Sequence, residues 1–321
     1  MKTMITQLDN PDWLEKALAV LRVGGVVGVP TETVYGLAGD ATRGDAVAAI
    51  YTAKGRPAHN PLIAHVADLG MAERYAVFDD RAHNLAQAFW PGPLTLVLPL
   101  KDGANLAPAV TAGGNSLAVR CPRGPLRDLA IALDHPLAVP SANMSGHVSA
   151  TTAHHVLSDL QNRIPLIVDG GPTVMGLEST ILDMRDDVPV LLRPGAVDIE
   201  SLESALGAPM ATSKENAEAP VAPGQLASHY APHVPVRLNV LPQDVKQGEA
   251  YLGFGKNDLS GHTNLSPSGN VHEAAEGLYA ALRALDQQRP TAIAVAPIPT
   301  YGLGQALADR LQRAAAPRDV F

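Results

Sequence analysis

Hydrophobic and polar residues follow two different periods along the first 200 residues of the chain. Apolar residues recur every three or four positions in several segments, which predicts amphipathic helices at 11–25, 43–55, 79–90 and 151–163. Short apolar runs bounded by Gly, Pro or polar residues predict buried strands at 26–30, 61–67, 94–100, 116–122, 136–142, 164–171, 179–184 and 189–195. Because helices and strands interleave, the pattern predicts an α/β domain over residues 1–200.

The pattern changes after residue 200. Residues 201–233 are rich in Ala, Pro, Ser and Glu and show no periodicity, so we predict that they form a linker. Three further apolar runs and two helical patterns follow, at 234–241, 250–255, 270–288, 291–299 and 304–316. These segments predict a second, smaller α/β unit over residues 234–321.

Composition and charge narrow the kinds of ligand that the chain can hold. Apolar residues make up 46% of the chain and charged residues 17%, which is typical of a folded globular protein. The formal net charge is −8 and aromatic residues make up only 4%, so neither a basic surface nor a stacking platform for nucleic acid is expected. An anionic ligand would therefore need a local cluster of cations.

Membrane insertion and disulfide bonding are not expected. Apolar runs are interrupted by Gly, Pro or Arg well before about 18 residues, the length typical of a membrane-spanning helix. Cys121 is the only cysteine in the sequence and cannot form an intramolecular disulfide, which fits a reducing compartment. We therefore expect a cytoplasmic protein without a membrane partner.

Lys54 and Arg56 are candidates for a local cluster of cations. Pro57 favours an extended conformation for Arg56, and Pro61 does the same for Asn60. In an extended chain, residues i and i+2 point to the same side. We therefore predict that Lys54 and Arg56 present two positive charges on one side of a stiffened loop. The alternative is that both are ordinary solvated surface cations.

Polar side chains also follow several of the predicted strands. Ser141 and Asn143 come directly after an apolar run, and ligands of α/β sheets bind at strand ends. Turn formation by Ser and Asn is an equally good explanation of this pair. Arg120 ends another predicted strand, and its forked guanidinium suits a carboxylate. Thr33 and Arg193 are also polar residues at or just after predicted strands.

Familiar phosphate-binding and metal-binding motifs are absent from the sequence. It contains no G-x-x-x-x-G-K-[ST] loop and no H-E-x-x-H pair. His229 and His233 lie four residues apart, but Pro232 breaks the helix that such a zinc pair would need. We therefore predict no metal site formed by protein ligands.

Seven stretches of the chain together resemble the YrdC-like threonylcarbamoyl-AMP synthases. In order they read PTETVYGL, KGRPAHNPL, WPGPLTLVL, AVRCPRGP, VPSANMSG, VDGGPTVMGLESTILD and LLRPGA, and they span nearly all of residues 10–200. The stretch APGQLASHYAP at 222–232 and the size of the C-terminal unit resemble the long form of the family. The resemblance implies a YrdC-like twisted mixed sheet with a concave ligand cleft, plus a smaller Rossmann-like α/β C-terminal domain. It also implies that the linker folds back over the active site.

The resemblance implies a reaction as well as a fold. L-threonine, bicarbonate and ATP would give threonylcarbamoyl-AMP and pyrophosphate, with Mg²⁺ bound through the ATP phosphates. The product would serve a separate transferase complex, which modifies the adenosine next to the anticodon of certain tRNAs, and a weak contact with tRNA itself is possible. Positioning and charge stabilisation would suffice for this chemistry, because the carbamate oxygen can attack the α-phosphorus directly.

The family's functional positions fall on residues of this sequence that carry the matching motifs. The resemblance implies the catalytic residues Lys54, Arg56, Ser141 and Asn143. It implies the threonine-binding residues Thr33, His65, Arg120, Val139 (through its backbone) and Ser179. It implies the ATP-binding residues Arg56, Asn60, Ser116, Ser141, Ser149, Arg193 and Tyr230. Gln225 and Ala227 stand where some long-form relatives carry basic residues, which weakens the expected grip of the linker on phosphate.

Two other functions fit parts of the same pattern. The fold could serve as a non-catalytic module that binds double-stranded RNA or tRNA, although the acidic charge and the few aromatic residues oppose this. The chain could also be an ATP-dependent ligase or hydrolase that acts on another small carbamoyl compound.

Overall fold

The computed structural model describes residues 2–212, 222–224 and 228–317, which form two β-sheets with helices packed around them. Eleven strands of the described residues make up the large sheet, in the order β1-β8-β2-β3-β7-β4-β6-β5-β9-β10-β11. They are β1 Met4–Gln7, β2 Val27–Val29, β3 Gly36–Asp40, β4 Ile63–His65, β5 Leu94–Pro99, β6 Ser116–Arg120, β7 Leu137–Ala138, β8 Leu166–Asp169, β9 Thr180–Asp183, β10 Val190–Arg193 and β11 Ala211–Thr212. Parallel and antiparallel pairs both occur, so the sheet is mixed, as predicted.

Helices connect these strands and bury the apolar core. They are α1 Trp13–Arg22, α2 Gly44–Lys54, α3 Leu69–Ala72, α4 Asp80–Phe89, α5 Pro125–Leu133, α6 Ala153–Leu160 and α7 Ile199–Leu206. Side chains cap several of their first turns: Asp79 accepts from the Ala82 N–H, and Thr152 accepts from the His155 N–H. Helix α7 crosses the boundary that the sequence pattern placed at residue 200, because the capping residue Asp198 begins a helix there.

The second sheet contains four parallel strands in the described residues, in the order β12-β15-β13-β14. These are β12 Val236–Arg237, β13 Ala250–Gly253, β14 Thr263–Asn264 and β15 Ile293–Val295, with helices α8 Val271–Gln287 and α9 Leu303–Ala315. The predicted fold class, a large mixed sheet followed by a smaller α/β unit, is confirmed. No helix in the described part of the chain is both long and apolar enough to span a bilayer.

Strand β3 was not predicted, because its sequence, GLAGD, is typical of a glycine-rich turn. It lies in the middle of the large sheet and is completely buried. A Cβ atom on Gly36 would lie 2.3 Å from Val139 Cγ1, and one on Gly39 would lie 3.1 Å from Ile50 Cδ1. The glycines therefore mark close packing against the strand and not a break in it.

The C-terminal unit shares a hydrophobic cluster with the first unit. Val34, Val148 and Leu177 of the first unit pack in one cluster with side chains of α8, α9 and β13. Helix α8 also contributes Arg283, which forms an ion pair with Asp159 at 2.7 Å. Both apolar and charged contacts therefore hold the two units together.

Replacing Gly195 with Ala should destabilise the fold by about 1–3 kcal/mol, because the added methyl group overpacks a site walled by backbone. A Cβ atom there would lie 2.4 Å from the Thr180 N atom and 2.6 Å from the Glu178 O atom. Urea denaturation measures the change in the free energy of unfolding. Gly44→Ala is the matched control, because a Cβ atom on Gly44 has no neighbour within 4 Å. Equal stability of the two variants would contradict the close approach.

Candidate active site

A cavity that is partly open to solvent lies across the middle of the large sheet. Its lining comes from strand ends of the first unit and from the segment that follows residue 221: Thr31, Thr33, Val34, Gly36, Arg56, Ile63, His65, Arg120, Val139, Pro140, Ser141, Glu178, Ser179, Arg193, Pro223, Gly224, His229 and Tyr230.

Strand pairing explains why residues far apart in sequence meet here. Strands β4 and β6 run parallel, and His65 pairs with Arg120 at their carboxyl ends. Val139 and Ser141 follow the end of β7, which lies on the other side of β4. Arg193 ends β10, further along the sheet. Because β7 runs antiparallel to β4, the cavity extends along one face of β4, from Val139 and Ser141 beside its amino end to His65 and Arg120 at the carboxyl ends of β4 and β6.

The five residues expected to bind threonine all line this cavity. Two hydrogen bonds and an ion pair fix Arg120: its Nε atom donates to the Gly92 carbonyl at 3.1 Å, its Nη1 atom donates to Thr33 Oγ1 at 3.2 Å, and its Nη2 atom lies 2.8 Å from Glu32 Oε1. Ser179 Oγ accepts from Arg193 Nη2 at 3.1 Å. The guanidinium of Arg120 therefore has a fixed orientation.

His65 is a neutral side chain in this site. Burial, and then the charge of Arg120, keep the pKa of His65 well below its ordinary value. Its Nδ1 atom lies 3.3 Å from the Ile63 carbonyl oxygen, which fits a proton on Nδ1 and leaves Nε2 as an acceptor. His65 can therefore accept a hydrogen bond in the cavity but does not add positive charge to it.

Arg56 lines the cavity and is held there by carbonyl and amide oxygens. Its Nε atom donates to the Asn60 carbonyl at 3.0 Å, and its Nη2 atom donates to Asn60 Oδ1 at 2.6 Å and to the Pro61 carbonyl at 2.7 Å. Burial lowers the pKa of Arg56 to about 10, so it remains a cation at neutral pH. Asn60 does not line the cavity but fixes the orientation of Arg56.

The predicted extended conformation at Lys54 is wrong. Lys54 is the last residue of helix α2, and Gly55, with φ at +61°, redirects the chain after it. Pro57 restricts only Arg56 before it, so Lys54 is free to remain helical. Lys54 Nζ donates to the Ser141 carbonyl at 2.6 Å and to the Asn143 carbonyl at 2.5 Å, and Lys54 is not among the lining residues.

Ser141 and Asn143 are also separated: one lies in the cavity wall and the other lies behind it. Ser141 lines the cavity, whereas Asn143 does not. Asn143 Nδ2 donates to the His147 carbonyl at 2.8 Å and so closes its own loop. Among the four residues expected to be catalytic, Arg56 and Ser141 face the cavity, while Lys54 and Asn143 hold the loop behind it.

The expected nucleotide-binding residues separate into two groups. Arg56, Ser141, Arg193 and Tyr230 line the cavity, whereas Asn60, Ser116 and Ser149 do not. Ser116 begins β6, and Ser149 Oγ donates to Glu178 Oε1 at 2.5 Å. Arg193 donates through Nη2 to the Ser179 carbonyl at 2.9 Å.

Residues 222–224 and 228–230 cover one side of the cavity. Pro223 and Gly224 lie over Arg193, whose Nη1 atom donates to the Pro223 carbonyl at 3.4 Å. Ala222 packs in a small apolar cluster with Ile63, Val97, Ala118, Ile181 and Leu192. Gln225 and Ala227, which are expected to weaken the binding of phosphate by the linker, lie outside the described residues.

Sequence reasoning did not assign Glu178 or His229 to the site. Glu178 directly precedes the expected residue Ser179, and His229 directly precedes Tyr230, so adjacency was the available signal. Burial lowers the pKa of His229 to about 3; Glu178 opposes this shift, and neighbouring cations reinforce it. His229 is therefore neutral.

No cluster of three or more His, Cys, Asp or Glu side chains suited to a metal ion occurs in the described ranges. His233 is paired with Asp286, at 2.7 Å between Nδ1 and Oδ2. It does not join His229 in the cavity.

The fold and the cavity define an α/β protein whose mixed sheet holds a small-molecule cleft lined by fixed cations. The model of the Sua5/YciO/YrdC family, described as "Telomere recombination", matches residues 19–195, and a model described as "Threonylcarbamoyl-AMP synthase, C-terminal domain" matches residues 197–316. The chain belongs to the Sua5/YciO/YrdC family and also carries this C-terminal domain. The resemblance inferred from the seven sequence stretches is confirmed.

Individual relatives agree with this assignment over almost the whole chain. The threonylcarbamoyl-AMP synthase of Bacillus subtilis is 42% identical over 96% of this chain and 94% of its own length. The Pyrococcus abyssi enzyme of the same name is 37% identical over 94% of each chain. The crystal structure of P. abyssi Sua5 complexed with L-threonine is similar with a TM-score of 0.90 and 35% identity, over 98% of both chains.

Acid should destabilise this protein, and His229 should contribute to the loss. Its pKa is about 3 in the fold, whereas an unfolded histidine has a pKa of about 6.5. The unfolded state therefore binds an extra proton between these values, and the free energy of unfolding falls as the pH falls through about 6.5. Urea denaturation at about pH 7.5 and about pH 5 measures this loss, which should be smaller in His229→Gln than in the parent.

His154→Gln is the matched control, because His154 is exposed on helix α6. It should lose as much stability as the parent between the two pH values. If His229→Gln also lost as much as the parent, the neutral buried state assigned to His229 would be wrong.

Proposed function

We propose that this chain synthesises threonylcarbamoyl-AMP from L-threonine, bicarbonate and ATP and releases pyrophosphate. Relatives that carry the name threonylcarbamoyl-AMP synthase and match nearly the whole chain support this proposal, as does the L-threonine complex of P. abyssi Sua5. They favour it over a non-catalytic RNA-binding module. The observation that carries the proposal is the convergence in one cavity of Arg56 and Arg193, which are held mainly by uncharged oxygens, and of Arg120, which Glu32 orients.

The charges of the substrates explain why the cavity needs these cations. The threonine carboxylate, the carbamate, the triphosphate and the leaving pyrophosphate are all anions. At an effective dielectric constant near 20, two unit charges about 4 Å apart interact with about 4 kcal/mol. Guanidinium groups that are already fixed offset this repulsion without reorganising during the reaction.

The residues have distinct roles in this proposal. The guanidinium of Arg120 binds the threonine carboxylate, and Thr33, Ser179, the neutral His65 and the Val139 backbone surround the rest of the amino acid. Arg56, Arg193 and Ser141 bind the phosphates, and Tyr230 packs against the nucleotide. Lys54, Asn60, Asn143 and Ser149 position these groups from behind, and Ser116 lies at the margin of the site.

The chemical step needs no protein nucleophile. The threonine amine adds to CO₂ with loss of a proton, or to bicarbonate with loss of water, to give the carbamate, and a carbamate oxygen attacks the α-phosphorus of ATP. The bond from the α-phosphorus to the bridging oxygen breaks, and that oxygen leaves with pyrophosphate. Binding the two substrates in line supplies most of the rate enhancement.

We propose that Mg²⁺ enters the site on the ATP phosphates. The only acidic side chain among the lining residues, Glu178, is already paired with an arginine, and the described residues hold no acidic cluster. An ion coordinated chiefly by phosphate and water fits this donor set.

Three parts of the chain have different roles in the proposed function. The catalytic domain extends beyond residue 200 to include all of α7 and β11, the linker that follows covers the site, and residues 234–321 form the C-terminal domain. The positions of Gly224, His229 and Tyr230 in the cavity wall support the covering role.

We propose that the product passes to a separate transferase complex, which modifies tRNA adenosine next to the anticodon, in the cytoplasm. The net charge of −8 favours at most a weak contact between this chain and tRNA.

Mass spectrometry of the product formed from L-threonine, ATP-Mg and carbon-13 bicarbonate tests the proposed reaction. The labelled carbon should appear in a threonylcarbamoyl adenylate, together with one pyrophosphate per product molecule. Serine in place of threonine should give much less product. Product formation from a different carbamoyl acceptor, but not from threonine, would overturn the assignment.

Arg56→Ala should reduce product formation at least about 100-fold, because a fixed charge at the phosphates is lost. Arg43→Ala is the matched control: Arg43 lies at the other end of helix α2 and is partly exposed, paired with Asp45. It should keep the parent rate. A rate for Arg56→Ala within a few-fold of the parent would contradict the role of Arg56.

A further inference from the structure

A carboxylate lies in the wall of the cavity that we propose binds anions. Glu178 is buried and lines the cavity beside Ser179. An unpaired negative charge in a buried site would repel a triphosphate. The partners of this carboxylate therefore decide whether the cavity can hold ATP.

The main partners of Glu178 come from the C-terminal unit. Arg310 of helix α9 has a completely buried side chain, and its Nε atom donates to Glu178 Oε2 at 2.8 Å. Tyr279 of helix α8 donates its hydroxyl hydrogen to the same oxygen at 2.7 Å. Ser149 of the first unit donates to the other oxygen, Oε1, at 2.5 Å.

Arg310 also supports the segment that covers the cavity. Its guanidinium carbon lies 5.1 Å from the centre of the Tyr230 ring, a distance typical of a cation–π contact. The Tyr230 ring stacks on Tyr279 with 5.8 Å between ring centres. The Nη2 atom of Arg310 donates to the Pro194 carbonyl at 2.9 Å, just after the end of β10.

We infer that Arg310 is a positioning residue of the active site, supplied by the C-terminal unit: it neutralises Glu178 and supports Tyr230, so that the positive field of Arg56 and Arg193 remains available to the nucleotide. This inference rests on the proposed function, because it assigns the anion to be held. It gives the C-terminal unit a direct electrostatic role at the site.

Charged and titratable groups face this carboxylate from every side. Arg310 and Tyr279 face it from α9 and α8, Arg193 from β10, and His229 and Tyr230 from the covering segment. Asp309 lies on the far side of Arg310 and accepts from its Nη1 atom at 2.5 Å.

The protonation of Glu178 depends on these neighbours. Burial works to raise the pKa of Glu178, but attraction to Arg310 and Arg193 and the bonds from Ser149 and Arg310 lower it to about 2. Without Arg310, burial would dominate and the carboxyl group would titrate at a higher pH. Above that pH an uncompensated carboxylate would oppose nucleotide binding, and below it the neutral acid would not.

The test compares ATP-Mg binding to the full-length parent and to Arg310→Met by calorimetry from about pH 6 to about pH 8.5. Methionine keeps much of the aliphatic volume but not the charge. The ratio of the variant's dissociation constant to the parent's should reach about tenfold or more at the alkaline end and should shrink toward pH 6. Thermal unfolding confirms that each variant is folded under the conditions of measurement.

A second variant separates neutralisation from packing. In Glu178→Gln/Arg310→Met neither position carries a charge, and both Ser149 and Tyr279 can still hydrogen-bond to the amide. This double variant should recover most of the ATP affinity and lose the pH dependence of the ratio. Arg310→Lys should lie between the parent and Arg310→Met.

Arg283→Met is the control for the interface, because Arg283 joins the same two units through Asp159 and through the main-chain carbonyls of Val148 and Ser149, but does not line the cavity. Loosening the interface alone would make Arg283→Met follow the pH profile of Arg310→Met, and that result would overturn the inference. A pH-independent loss in Arg310→Met, or no recovery in the double variant, would overturn it as well.

The binding measurement keeps this inference separate from the proposed reaction. If the parent binds ATP-Mg but forms no threonylcarbamoyl adenylate, the proposed function fails, whereas the effect of Arg310 on nucleotide binding is still measured. If the parent forms the product and Arg310→Met binds ATP-Mg like the parent at every pH, only the role of Arg310 fails.

Discussion

The site depends on burying positive charge without cancelling it. Arg56 and Arg193 are buried, and the partners of their N–H groups are mainly main-chain carbonyls. A carbonyl oxygen satisfies a donor and offsets part of the cost of removing the cation from water. It carries no net charge, however, so the field of each cation remains available to an anion in the cavity. Carboxylate partners would have stabilised the same cations but would have neutralised them.

Local geometry makes these carbonyls available, and carboxylates appear only where they serve another purpose. The carbonyls of Asn60 and Pro61 lie in a loop between α2 and β4, outside any helix or sheet ladder, and are free to accept from Arg56. Glu32 pairs with Arg120 and fixes its orientation. Glu178 lines the cavity itself, and its charge is matched by a cation from the C-terminal unit. The net charge of the cavity is therefore set by both units together.

Much of the fold could be predicted because local sequence and tertiary environment agree. The helix at 271–287 and the strands around β5 and β8 have clear periodicity, and the structure contains them. Strand β3 could not be predicted from its own residues, because Gly36 and Gly39 reflect close packing on Val139 and Ile50, which are distant in sequence. Helix α5 begins at Gly124-Pro125, in a stretch that was not predicted to be helical.

The sequence alone determined the family and predicted half of the residues that line the cavity, because motifs keep the residue types that the chemistry needs. Tertiary structure alone decided which members of each motif face the cavity: Arg56 does and Lys54 does not, since the helix extends to Lys54 and directs its ammonium group to the carbonyls of the Ser141 loop. It also brought Arg310 to Glu178 across 132 residues of sequence. A contact of that kind depends on how two units pack, and no local pattern of residues encodes it.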